Sequence, residues 1–235
     1  MMNLSKTYQE ISFLREEKYP LMDIQEDELY IFHFSFDTPF DDKIWNLYLS
    51  ILSEEFRRDV YKYRRWQDKY NCLLGKLMVY MGYQIFCGDQ LEFDRFLKNP
   101  YGKPYIYDTS LNFNISHSGN TVVCIFSKQA IGIDIEEVKE IEYTLFDNVF
   151  SKVEMEQIQK QGLLKFYEYW TKKEAVIKAI GKGMSIPLEE IKINDASGSF
   201  KEVVWYTKSY CNDNIYYSIA SKQKVKNIKQ VQIKF

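Results

Sequence analysis

Residues Ile131-Gly132-Ile133-Asp134-Ile135-Glu136 place an isoleucine at every second position, and that period of two sets how the middle of the chain folds. On a strand, residues i and i+2 point to one face, so Asp134 and Glu136 project together while Ile133 and Ile135 project the other way. The two acidic Cα atoms then lie about 6.8 Å apart. Carboxylates aimed into one space repel unless a positive charge stands between them, and oxygen ligands of this kind suit Mg²⁺. An edge strand with an apolar inner face and a charged outer one has the same pattern, so the pair takes its meaning from its neighbours.

On the N-terminal side, 111–115 and 121–126 read as strands, joined by a hairpin turn at Ser118-Gly119-Asn120. Helices follow the acidic strand at 151–161 and 163–180, the second stopped by Gly181 and Gly183. Farther upstream, 28–36 alternates as a strand, and a helix opens at Asp41-Asp42 and runs through Leu52. A second helical stretch runs from Ser53 to about Phe86, with Leu73, Leu74, Leu77, Met78 and Met81 as its core stripe. Residues 88–107 are loop and short strands punctuated by Pro100, Gly102 and Pro104, and 1–27 is a polar arm without a clear pattern. After Pro187 come short β-rich runs, including 203–206, 215–220 and 231–235. This order predicts an α+β fold of two similar subdomains related by a pseudo-twofold axis, each a small antiparallel sheet packed with a long helix. The expected division is 1–115 and 116–235 in one compact unit, with the active site at the interface.

A composition of 46% apolar and 27% charged residues is that of a soluble globular protein, and a net charge of −2 gives no support for a nucleic-acid partner. No apolar run approaches the ~20 residues of a membrane span, and residues 1–20 carry no signal-peptide pattern. Cys72, Cys87, Cys124 and Cys211 form no CxxC pair; with His33 and His117 as the only histidines, they read as reduced thiols of a cytoplasmic protein. Neither GxxxxGK[ST] nor GxGxxG after a strand occurs.

Glu174 and Lys178 stand one turn apart on the helix that begins near Leu163, where a surface ion pair is the plainer explanation. If that helix crosses the acidic strand, Glu174 becomes a third carboxylate for the metal and Lys178 stands ready for a phosphate. Mg²⁺ keeps few protein carboxylates and favours substrate phosphates, so three acids and a lysine fit a polyphosphate site. His117 ends a strand beside a turn, and Lys103 sits in the rigid turn Asn99-Pro100-Tyr101-Gly102-Lys103-Pro104.

These segments, in this order, resemble the phosphopantetheinyl transferase superfamily of the surfactin-synthetase-activating type. The stretches that carry the resemblance are Gly102-Lys103-Pro104, Phe113-Asn114-Ile115-Ser116-His117-Ser118, Gly132 to Glu136, Phe150-Ser151-Lys152-Val153-Glu154, and Trp170-x-x-Lys173-Glu174-Ala175-x-x-Lys178-x-x-Gly181-x-Gly183. The resemblance implies transfer of the 4′-phosphopantetheine arm of coenzyme A to a serine of an acyl or peptidyl carrier domain, with release of adenosine 3′,5′-bisphosphate. It implies Mg²⁺ on Asp134, Glu136 and Glu174, and Lys178 on the phosphate as a catalytic group. Ser116 and His117 would meet coenzyme A phosphates, and Lys103 the nucleotide. Glu154 matches a residue proposed as the base for the serine proton, but Ser151-x-x-Glu154 is also a capping box, and metal-activated water is another candidate base. Where such proteins carry cations for the 3′-phosphate, this chain has Phe56, Asp59 and Asn71, with Arg57, Arg58, Lys62, Arg64 and Arg65 nearby. The size and internal duplication imply a monomer. Two other readings remain at this stage: a Mg²⁺-dependent hydrolase of a nucleotide pyrophosphate, and a non-catalytic carrier-binding module.

Overall fold

The core stripe read from the sequence lies in one long helix whose Leu73, Leu74, Leu77, Met78 and Met81 are all fully buried. The computed structural model describes residues 8–13 and 19–235. In chain order the first half holds β1 (Tyr8–Ser12), β2 (Glu28–Ser35), α1 (Asp42–Ile51), α2 (Glu54–Tyr61), α3 (Trp66–Cys87), β3 (Phe96–Lys98), β4 (Pro104–Ile106), β5 (Asn112–Ser118) and β6 (Thr121–Ser127). It continues with β7 (Ile131–Glu137), α4 (Lys152–Gln161), α5 (Leu163–Ile180), β8 (Lys192–Asn194), β9 (Ser197–Phe200), β10 (Val203–Asn212), β11 (Ile215–Ser221) and β12 (Asn227–Lys234).

Two five-stranded sheets organise the molecule, in the orders β1-β12-β2-β6-β5 and β7-β11-β10-β9-β8. The second is antiparallel throughout, as expected for an α+β fold. The first is mixed, because β12 returns from the C-terminus and runs parallel to both β1 and β2. The division expected after residue 115 falls inside β5, and β5 and β6 both belong to the first sheet. Part of the polar arm thus forms an edge strand, while 1–7 and 14–18 lie outside the described residues.

Alternation along each strand builds the layers. On β2, Tyr30 and Phe32 enter the core around α3, whereas Leu29 and Ile31 point to the opposite face. There they join Val123 and Ile125 in meeting Ile131, Ile133, Ile135 and Ile219 of the second sheet. The isoleucines of the acidic strand therefore glue the two sheets together, and its acids face the other way, toward α5. Gly132 makes that approach possible: a Cβ there would lie 2.1 Å from the Ala175 carbonyl oxygen and 2.4 Å from the Ala179 nitrogen. Only a residue without a side chain lets the α5 backbone lie against the strand at this point. The result is a helix–sheet–sheet–helix stack in which each half contributes one long helix.

Candidate active site

The edge strands β5 and β7 come from different sheets and lie side by side, joined by side chains rather than a backbone ladder. The side-chain oxygen Oδ1 of Asn114 accepts the Ile133 N–H at 2.8 Å, Ser116 Oγ that of Ile135 at 3.2 Å, and Ser118 Oγ that of Glu137 at 2.9 Å. These are successive residues on one face of β5, so the seam has the strand's own period.

Above the seam the expected acids and lysine gather. Asp134 is 4% exposed; its Oδ1 accepts from Lys178 Nζ at 2.7 Å and from Ser116 Oγ at 3.1 Å, while its Oδ2 is buried with no hydrogen-bond partner. Glu136 accepts from Ser118 Oγ at 2.9 Å. Burial first, and then the Asp134 charge, push the Glu136 carboxyl up to about 7, against the Ser118, Lys178 and Trp170 contacts that favour its ionised form. Burial and the same Asp134 charge raise Glu174, with Lys178 again opposing. The charge of Asp134 is thus felt by both glutamates, one on β7 and the other on α5, which packs across it.

The sequence reading expects Mg²⁺ on Asp134, Glu136 and Glu174, shared with substrate phosphates. Among the described residues no group of three or more His, Cys, Asp and Glu is placed to hold a metal ion, and Lys178 occupies Oδ1 of Asp134. The donor set nevertheless fits a divalent cation: three carboxylates, one buried oxygen with no partner, and two carboxyls raised by burial and by a neighbouring like charge. A cation held by Asp134, Glu136 and Glu174 would supply the missing partner and relieve the repulsion.

Beside the acids opens a cleft of about 800 Å³ whose lining includes Arg65, Asn71, His117, Ser118, Glu137 and Asp213. His117, exposed at the end of β5, lines this cleft, and desolvation by the surrounding protein and then the Lys178 charge hold its imidazole below the ordinary range. Of the cations read near α3, Arg65 reaches this cleft, while Arg57 and Arg58 pair with Glu54. Asp59 is held by Lys62 at 2.6 Å and Lys98 at 3.0 Å, and Asn71 Nδ2 donates to the Gly119 carbonyl at 3.0 Å.

Three sequence expectations change. Ser116, read as a phosphate contact, is buried, and its hydroxyl is fully used by Asp134, the Ile135 N–H and Lys178 Nζ at 2.9 Å. Lys103, read as a nucleotide contact, donates to the carbonyls of Ile131 and Ala179 at 3.2 Å each, and burial holds its amine at about 8. It clamps the start of β7 to the end of α5. Glu154 makes the capping box, and its Oε1 also accepts the Ile193 N–H at 3.1 Å while its Oε2 pairs with Lys173 at 3.0 Å. With 3% exposure and both oxygens engaged, it is placed as a cap rather than as a base facing substrate. The sequence reading gave no role to Ser118, Asn114 or the Trp170 indole. The polar alternation Asn112, Asn114, Ser116, Ser118 was the visible signal for the first two.

Carboxylates and a lysine next to a large polar cleft are the groups expected of the class of enzymes that act at phosphate groups. Comparison with known proteins agrees. Residues 130–227 match the model of the 4′-phosphopantetheinyl transferase superfamily, and residues 38–129 match that of the 4′-phosphopantetheinyl transferase N-terminal region. The chain is 37% identical to the 4′-phosphopantetheinyl transferase gsp of Aneurinibacillus migulanus, over 66% of either chain. It is 34% identical to the 4′-phosphopantetheinyl transferase Sfp of Bacillus subtilis, over 67% of this chain and 72% of that one. With HetI of a Nostoc species, also named a 4′-phosphopantetheinyl transferase, identity is 31% over 75% and 78%. The chain belongs to the 4′-phosphopantetheinyl transferase superfamily, in its surfactin-synthetase-activating type, and is a transferase. Among the described residues no helix is long and apolar enough to cross a membrane.

Proposed function

We propose that this chain moves the 4′-phosphopantetheine arm of coenzyme A onto a serine of an acyl or peptidyl carrier domain, in a Mg²⁺-dependent reaction that releases adenosine 3′,5′-bisphosphate. The observation that supports the reading is the packing of α5, the helix of Glu174, across β7, the strand of Asp134 and Glu136, with Lys178 paired to Asp134 near the cleft lined by His117 and Arg65. Phosphoryl-group transfer rests mainly on positioning and charge neutralisation, and both tasks fall to these residues. Arg65 and His117 receive the anionic nucleotide end. Lys178, with its side chain 28% exposed, is free to leave Asp134 and bind the pyrophosphate oxygens as negative charge grows on them. Asp134, Glu136 and Glu174 would hold Mg²⁺, which when bound supplies Lewis-acid stabilisation of the pyrophosphate. Both sides of the site come from one chain, which supports a monomer, and the four free cysteines accord with a cytoplasmic setting.

Mass spectrometry of an apo carrier domain incubated with coenzyme A, Mg²⁺ and this protein tests the reading. The expected result is a mass gain of one phosphopantetheine. Coenzyme A cleavage without a carrier would assign a hydrolase instead, and carrier binding without a mass change would assign a binding module.

A further inference from the structure

We infer that Ser118, with Ser116 beside it, is a positioning residue for the two cation-binding acids of β7, holding the Glu136 and Asp134 carboxylates by the same hydroxyls that join the two sheets. The inference rests on the reading of Asp134, Glu136 and Glu174 as a cation site. A serine hydroxyl has one proton to give and two lone pairs to receive. At Ser118 one lone pair takes the Glu137 N–H at 2.9 Å, and the proton goes to Glu136 Oε2, which lies 2.9 Å from Oγ. At Ser116 the lone pairs take the Ile135 N–H and Lys178, and the proton goes to Asp134. Asp134 and Glu136 are therefore each held by a hydroxyl that is itself anchored to the N–H of the next residue on β7. Two serines at i and i+2 on β5 repeat the spacing of the two acids at i and i+2 on β7, so the register of the seam sets the acids' spacing.

Asn114 provides the internal contrast. It makes the same link one step earlier, to the Ile133 N–H, but this bond ends on backbone and reaches no carboxylate. A seam that only held the sheets together would make Asn114 and Ser118 equivalent. A seam that also aims the acids separates them.

The experiment is Mn²⁺ binding to the full chain without coenzyme A, followed by electron paramagnetic resonance of the free ion, with thermal melts in parallel. Ser118→Ala is expected to weaken Mn²⁺ binding about tenfold, the usual effect of removing a hydrogen bond behind a metal ligand. Ser118→Thr keeps the hydroxyl and is expected to restore affinity. Asn114→Ala is expected to lower the melting temperature and leave affinity within about twofold; if it does not fold, the Ser118 pair of variants decides alone. Wild-type binding that is unchanged in Ser118→Ala, or reduced equally in Asn114→Ala, overturns the positioning role and leaves the cation site standing. No Mn²⁺ binding by the wild type overturns the cation site and this inference together.

Discussion

Lys173 and Lys178 lie little more than one turn apart on α5, and each pairs with a carboxylate, at 3.0 and 2.7 Å. The surroundings of the two pairs differ. Lys173 is wholly buried against Glu154, and its amine also donates to the carbonyls of Leu188 at 3.2 Å and Ile191 at 2.6 Å. Every partner there is matched, as a buried ion pair in a core requires. Lys178 is partly exposed, and its partner Asp134 keeps one buried oxygen unpaired beside two glutamates that resist ionisation. A saturated pair holds the fold; a pair left short of a positive charge is where the proposed function puts the cation. The motif residues Lys173 and Lys178 look alike in sequence, and only their surroundings separate a support from a working group.

The largest effect that sharpens this contrast is on transfer. Asp134→Ala or Glu174→Ala should lower carrier modification by about 10²- to 10³-fold, with circular dichroism and melting temperature near wild type. Transfer at the wild-type rate in excess chelator would break the contrast from the same side. Next, Glu154→Gln keeps a capping side chain but strips the charge opposite Lys173. It should cost about 3 kcal/mol in urea unfolding while the folded enzyme keeps its turnover. A fall in turnover with stability intact would return Glu154 to the chemistry.

A third expectation concerns pH. Glu136 holds its proton up to about 7 in the folded chain, against 4.5 for an ordinary glutamate, and Glu174 is shifted the same way. Between those values the folded state binds more protons than the unfolded one, so stability falls as pH rises through the window. Melting temperatures measured without metal should decline across it, and added Mg²⁺ should flatten the decline. A metal-free curve that rises over the same range would contradict the crowding of the acids. The smallest effect is at Lys103. Lys103→Met removes two bonds to carbonyls and should cost roughly 1–2 kcal/mol by denaturant unfolding, with KM for coenzyme A little changed. A large rise in that KM would restore its nucleotide role.

Much of this was legible because it depends on local periodicity. The isoleucine alternation in 131–136 correctly separated the acids from the interface residues, and the stripe Leu73 to Met81 marked the buried face of α3. The capping box at Ser151 and Glu154 was readable too, since it needs only residues three apart. What escaped depends on contacts between distant segments. Nothing local tells β12 to return between β1 and β2. Nothing local shows that Lys103 is captured by carbonyls of Ile131 and Ala179, or that Glu154 meets Lys173 across the chain. The polar alternation on β5 could not name what it meets, because its partner strand belongs to another sheet.

The most direct test of the convergence at β7 and α5 is a crystal structure with coenzyme A and Mn²⁺, measured at the manganese absorption edge. One anomalous peak in contact with Asp134, Glu136 and Glu174 is expected, with Lys178 moved from Asp134 to a phosphate oxygen. A peak remote from these acids, or coenzyme A bound with Lys178 still paired to Asp134, would contradict the account.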